Sequence, residues 1–260
     1  MNRFVMILSC IFLLLGCGSS PRREGALRPE LLVSGGEHFL KGNYGIAAVQ
    51  YENFLTLNPL STRRSWIYMQ VGLCRNGEGA YRMAIEAFGQ ALAAGATGAL
   101  RLEILYRRAI SYNFNDMPDI ALLDLEQVLV EPASLREEVL KSAEFERMLG
   151  VTLIRAGEWK RGRRILENLI RAFPRSPEAI KAYRLLTFQK FSIQVARCPN
   201  QQSAQKKITL LRAKGVSGRA EPLPDHSGIS VLVGEFSRYD EVVRERENLK
   251  LRGIEGFILP

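Results

Sequence analysis

The feature that most limits how this chain can fold is a recurring pair of small and large residues. Ala47 is followed four places on by Tyr51, Ala84 by Phe88, Ala121 by Leu125 and Gly162 by Leu166. The small members stand 37, 37 and 41 residues apart, and twelve places before each comes another small residue, Gly35, Gly72, Ala109 or Gly150. Residues four apart share one face of a helix, so each pair reads as a notch and a knob. Two helices approach closely only where small residues make room for large ones, and the pattern predicts paired helices repeated along the chain. Lys41-Gly42-Asn43-Tyr44, Gly77-Glu78-Gly79-Ala80-Tyr81 and Ala156-Gly157-Glu158-Trp159 are the turns within pairs. Asn58-Pro59 and Phe173-Pro174-Arg175-Ser176-Pro177 end second helices, and Glu178 to Leu186 reads as a closing helix over the last open face.

These marks resemble the tetratricopeptide repeat (TPR) family, with Gly or Ala on the first helix, Ala-x₃-aromatic on the second and Pro after it. The third copy departs from the pattern, carrying Pro118 where an aromatic is expected. The spacings exceed the usual ~34 residues, an excess that longer turns between repeats would absorb. The resemblance implies a solenoid whose concave groove holds a peptide or protein partner. Arg101, Arg107 and Arg108 on a first helix, and Arg161, Arg163 and Arg164 on a second, are candidate contacts for an acidic partner. Solvated surface is the alternative for all six.

Composition closes off other classes. The chain is 47% hydrophobic and 24% charged, with 22 Gly and 11 Pro, ordinary for a globular protein. Its net charge of +9 tolerates an acidic partner, yet Arg is spread along the chain, so nucleic acid is not implied. With only His38 and His226, a His-rich metal centre is excluded, and no metal or cofactor is expected.

At the N-terminus, Met1-Asn2-Arg3 is followed by an apolar run from Phe4 to Leu15, too short to cross a ~30 Å hydrocarbon layer and suited to a secretory signal. Leu14-Leu15-Gly16-Cys17 resembles the lipobox of bacterial lipoproteins. The resemblance implies cleavage after Gly16 and lipidation of the Cys17 thiol, which would hold the protein on a membrane. No acidic residue directly follows Cys17, which by analogy favours the outer membrane. An ordinary signal peptide is the alternative. Cys10 leaves with the signal, and Cys74 and Cys198 remain, more simply as free or buried thiols than as a disulfide.

Near Lys190 the period changes to two. Phe191 to Ala196 reads as a strand, Asn200 to Ala213 as a helix capped by Asn200, and Val216 to Ala220 as a short strand. After a polar loop come a strand from Ile229 to Val233, a helix from Tyr239 to Leu251 and a strand from Gly256 to Leu259. The order β-α-β-β-α-β is ferredoxin-like, with two helices on one face of an antiparallel sheet and the other face open. Phe191-Ser192-Ile193-Gln194-Val195-Ala196, Leu211-Arg212-Ala213-Lys214-Gly215, Ser230-Val231-Leu232-Val233-Gly234-Glu235-Phe236, Leu249-Lys250-Leu251-Arg252-Gly253 and Gly256-Phe257-Ile258-Leu259-Pro260 resemble the SPOR domain family.

That resemblance implies binding to bacterial peptidoglycan, in particular to glycan strands stripped of their stem peptides. Gln194 occupies the position of the family's strand-one glutamine. Strand parity puts Ser192, Gln194 and Ala196 outward, with Ser230 and Leu232 on the third strand and Ile258 on the last. An outward Gln both donates and accepts, which suits N-acetyl and hydroxyl groups. Some family members carry an aromatic and an arginine where this chain has about Gly228 and Ser230, and the family's small residue after the first strand gives way near Arg197. Arg197 or Arg219 is the candidate replacement cation. An RNA-binding sheet is disfavoured, because no aromatic pair lies on the expected outer face.

No Walker loop, HExxH, CxxC or Gly-x-Ser-x-Gly occurs, and no carboxylate pair stands out as a glycosidase centre. The reading is therefore α+β and not an enzyme, with a signal peptide at 1–16, a lipidated tether at 17–30, TPR-like repeats at 31–189 and a SPOR domain at 190–260. It describes a periplasmic adaptor lipoprotein of the cell envelope or division apparatus. A TPR scaffold of outer-membrane assembly without glycan binding is the alternative, and an enzyme of wall remodelling is a further one.

Overall fold

The computed structural model describes residues 28–259 apart from 141, 188 and 224–226. The signal segment, Cys10, Cys17 and most of the tether lie outside the described residues.

The described chain begins with four helical hairpins. They comprise α1 (Pro29–Leu40) with α2 (Tyr44–Leu57), α3 (Arg64–Gly77) with α4 (Tyr81–Ala93), α5 (Gly98–Phe114) with α6 (Pro118–Val130), and α8 (Ser142–Arg155) with α9 (Trp159–Ala172). A short α7 (Ala133–Val139) lies between the third and fourth hairpins, and α10 (Pro177–Leu186) follows the last. The wider 41-residue step is thus absorbed by a helical turn and not by a longer loop. Pro118 is no defect in the third copy. It opens α6 at the position that Tyr44, Tyr81 and Trp159 hold in the other hairpins, where a missing N–H costs nothing.

The notches and knobs meet across each hairpin. A Cβ added to Gly72 would come within 2.6 Å of the Phe88 ring, and one on Gly35 within 2.9 Å of the Tyr51 ring. Phe88, Leu125 and Leu166 are fully buried as a result. Neighbouring hairpins are held in register by a repeated polar tie between first helices. Ser111 Oγ donates to Asn76 Oδ1 at 2.9 Å, and one repeat on Asn113 Nδ2 donates to Thr152 Oγ1 at 2.8 Å. Such bonds are worth most where the groups are buried, as Ser111, Asn113 and Thr152 are. Cys74 and Cys198 are free, and burial pushes the Cys74 thiol up to about 12.

The tail folds as β1 (Phe191–Cys198), α11 (Gln201–Ala213), β2 (Gly218–Pro222), β3 (Ile229–Phe236), α12 (Tyr239–Leu251) and β4 (Phe257–Leu259). The strands form one antiparallel sheet in the order β2-β3-β1-β4. Asn200 caps α11 in a capping box with Ser203, as its residue type predicts. β2 begins two residues later than the sequence suggests. Ala204, Ile208 and Leu211 of α11 and Tyr239, Val242 and Leu249 of α12 pack on Phe191, Ile193, Val231 and Val233.

That core does not stop at the sheet. Ile154, Leu166 and Leu169 of the last hairpin and Ala182 of α10 belong to the same apolar cluster. The Trp159 ring of α9 packs at a tilt against Phe191 of β1, with ring centroids 4.9 Å apart. The end of the solenoid expected to be closed by α10 is therefore also covered by the tail domain. Among the described residues no helix is long and apolar enough to cross a membrane.

Candidate functional site

The face of the sheet turned away from α11 and α12 is built from a few paired positions. Residues opposite one another in neighbouring strands point to the same side. One row across the sheet is Arg219, Leu232, Gln194 and Phe257, since Arg219 pairs with Leu232, Leu232 with Gln194 and Gln194 with Phe257. A second row is Glu221, Ser230 and Arg197, and Ser192 pairs with Leu259 beside them.

This arrangement corrects two readings of strand parity. Ile258 pairs with Ile193 and packs against the core, so it does not face outward; Phe257 does, with 77% of its surface exposed. A run of three apolar residues carries no alternation from which to choose a face, and the partner strand makes the choice. Second, an irregularity in β1 between Gln194 and Ala196 shifts the register. Ala196 then pairs with core-facing Val231 and lies against the core, while Arg197 joins Ser230 on the outer side.

Not every outward position is accessible. Ser192, Ser230 and Leu232 are 2%, 4% and 1% exposed, so they form the floor of the face and no contact surface for a large ligand. Gln194 Nε2 donates to Ser230 Oγ at 2.5 Å, which holds the amide in place. Its carbonyl oxygen has no partner among the described residues, which leaves an acceptor at the surface.

Arg219 acts as an internal brace. Its guanidinium donates to Ser192 Oγ at 2.8 Å, to the Gly234 carbonyl at 2.6 Å and to Glu221 Oε1 at 2.6 Å, and Glu235 lies 3.7 Å away. Gly234 can offer that carbonyl because it sits in the left-handed region at φ 68°, with the Phe236 ring where a side chain would be. Arg197, by contrast, is exposed and has no ion pair among the described residues. Of the two candidate cations, Arg197 is the one left for a ligand.

The solenoid arginines are also in use. Arg108 makes a two-pronged pair with buried Asp124, at 2.7 and 2.8 Å. Arg101 reaches Gln127 at 2.7 Å and Glu131 at 3.3 Å. Arg107 lies 3.5 Å from Glu103 and its guanidinium sits 5.9 Å from the Tyr106 ring centre. Arg101 and Arg108 tie α5 to α6, so these two candidate contacts already have partners within the solenoid. Arg161 pairs with Glu158, Arg163 donates to the Leu186 carbonyl, and Arg164 is exposed. Among the described residues no cluster of His, Cys, Asp and Glu could hold a metal ion.

Phe257 is the surface residue that sequence reasoning missed. The available signal was its place next to Gly256, whose absent side chain lets the strand end lie against Ile193.

Comparison with known proteins agrees with both parts of the chain. Residues 188–260 match the model of the SPOR domain family. The helical region resembles solved TPR-type structures. A MamA protein is 20% identical with a TM-score of 0.50, covering 62% of this chain and 79% of that one. A tetratricopeptide repeat protein from Parabacteroides merdae is 16% identical with a TM-score of 0.50, covering 62% and 59%. A MamA RS-1 double mutant is 15% identical with a TM-score of 0.52, covering 63% and 83%. At such identities the likeness establishes the fold alone. No curated protein matches the chain. The chain thus carries TPR-like helical hairpins followed by a region that matches the SPOR domain family.

Proposed function

We propose that this protein is a periplasmic adaptor that lays a peptidoglycan glycan strand across the outer face of its terminal sheet and holds a protein partner on its solenoid. The observation that carries the reading is the exposed Phe257 ring standing beside the Gln194 amide, with Arg197 nearby on the same face. Sugar rings present apolar C–H faces and a rim of hydroxyl and N-acetyl groups. An aromatic face covers the first while an amide and a guanidinium hydrogen-bond the second. A lactyl carboxylate or an acetyl carbonyl would also suit the fork of donors on exposed Arg197. Cys17 supplies the membrane attachment, as the lipobox implies, and outer-membrane location and a role in division belong to the same proposal.

Sedimentation with purified sacculi tests it. Removing residues 190–260 would bare Leu166 and Leu169, which share the tail's core, so point variants are the cleaner arm. Joint Gln194→Ala and Phe257→Ala substitution is expected to weaken retention about tenfold or more, a loss of roughly 1.4 kcal/mol. Equal retention of the double variant overturns the glycan reading, and release of soluble fragments from the sacculi would replace it with an enzymatic one. Radiolabelled palmitate incorporation lost in Cys17→Ser tests the anchor.

A further inference from the structure

Three of the four hairpin turns place a glycine in the left-handed region: Gly42, Gly79 and Gly157, at φ 79°, 74° and 89°. In the third turn the same step is taken by Asp116, at φ 57°, the one non-glycine residue with positive φ among the described residues. The turns are otherwise alike. Asp116 N–H donates to the Asn113 carbonyl and Met117 N–H to the Tyr112 carbonyl, as Gly79 does to Asn76 and Ala80 to Arg75. Glycine takes this conformation without strain and aspartate is among the few other residues that tolerate it, so the turn permits an aspartate but does not require one.

The carboxylate is engaged across the domain boundary. Tyr239 Oη, at the first turn of α12, donates to Asp116 Oδ1 at 2.7 Å. Arg246, two turns further along α12, donates to Asp116 Oδ2 at 2.5 Å. Arg155 of α8 lies over the Tyr239 ring at 5.2 Å while donating to the Asn113 carbonyl at 3.3 Å. Tyr239 in turn meets Phe191 edge-on at 5.4 Å, and Phe191 meets Trp159. Solenoid and sheet therefore grip one tyrosine from both sides, and only a short connection from Leu186 to Phe191 joins them in the chain.

We infer that Asp116 is a positioning residue for the terminal sheet: it latches α12 to the third hairpin and so fixes the direction of the ligand-binding face relative to the solenoid groove. An apolar seam alone permits sliding, whereas a carboxylate held by a phenol and a guanidinium specifies one orientation. The functional half of this inference rests on the glycan reading, since the orientation matters only if the sheet holds a ligand.

Pulsed electron spin resonance tests the latch in the full chain. Labels are placed at exposed Asn53→Cys and Gln202→Cys, with Cys10→Ser, Cys17→Ser and Cys198→Ser to leave no competing thiol but buried Cys74. The parent gives one narrow distance distribution. Asp116→Gly, which restores the residue that the other turns use and so keeps the hairpin folded, is expected to widen it about twofold, because the apolar seam and the Arg155–Tyr239 contact that remain do not fix a single orientation. Asp116→Asn keeps an acceptor for Tyr239 and tolerates the turn, and should fall between. An unchanged width in Asp116→Gly overturns the latch. Sacculus retention is measured on the same samples. Retention in the parent that persists in Asp116→Gly supports a role in orientation and not in affinity. Loss of retention in the parent with the expected widths overturns the glycan reading and leaves the latch standing.

Discussion

The solenoid and the terminal sheet both display arginines and aromatics, but they differ in which of these the fold has already claimed. In the solenoid, Arg101 and Arg108 are bound to side chains of the next helix, and Phe88 is fully buried against Gly72. On the sheet, Arg219 is claimed by Ser192 and Gly234, while Arg197 and Phe257 remain exposed. Charge or aromaticity in a sequence is therefore not availability. A side chain can serve a ligand only where its own fold has left its donors or its ring unused.

The sharpest way to break this contrast is to truncate one phenylalanine from each region. Phe88→Ala should cost about 4 kcal/mol, by lost burial and by the cavity left against Gly72. Phe257→Ala should change stability by no more than about 0.5 kcal/mol while weakening sacculus retention. Urea unfolding followed by circular dichroism measures the first difference, and comparable losses in the two variants would mean that Phe257 is structural.

A smaller effect is expected from the arginines. Arg108→Ala strips Asp124, 3% exposed in the intact protein, of its charge partner and should destabilise by about 2 kcal/mol. Arg197→Ala should be close to neutral by the same unfolding assay. If the two variants unfold alike, the distinction drawn between claimed and free arginines fails.

The smallest effect concerns the junction of α8 and α10, where Glu178 receives hydrogen bonds from Arg147 and Lys181. Burial alone would raise the Glu178 carboxyl, but those two hydrogen bonds and charges outweigh it and hold the group below its ordinary value of 4.5. A carboxyl depressed in the folded state contributes stability above its unfolded value, and that contribution is lost as pH falls through the folded value. Wild type should therefore exceed Glu178→Gln in stability at neutral pH, and the gap should close below pH 4.5. A gap that persists or grows in acid would show that the carboxylate is not the stabilising species.

Much of the solenoid could be read from residue types because its contacts are local. A notch at Gly72 and a knob at Phe88 lie in helices joined by a short turn, so their spacing in the chain already states which faces meet. The inner face of the sheet was legible for a related reason, since Ile193 stands between polar Ser192 and Gln194 and the period of two places Val231 and Val233 on one side. The outer face was legible only in part. Gln194 follows from parity, but Phe257-Ile258-Leu259 holds no alternation, and the shift after Gln194 moves Arg197 to a face that parity assigns to Ala196. Asp116 left a trace, as the aspartate in a 37-residue series of glycines, yet nothing nearby in the chain names Tyr239 and Arg246 as its partners.

Residue order alone was thus sufficient for the hairpins, the order of strands and helices in the tail, and the likeness of the tail to the SPOR family, because each depends on periodicity over distances of a few turns. The tertiary structure alone decided which outward side chains are exposed, which arginines are paired and how the sheet sits against the last hairpin. Those outcomes depend on strand register and on contacts between groups up to 130 positions apart, and such contacts are set by packing geometry that no local period encodes.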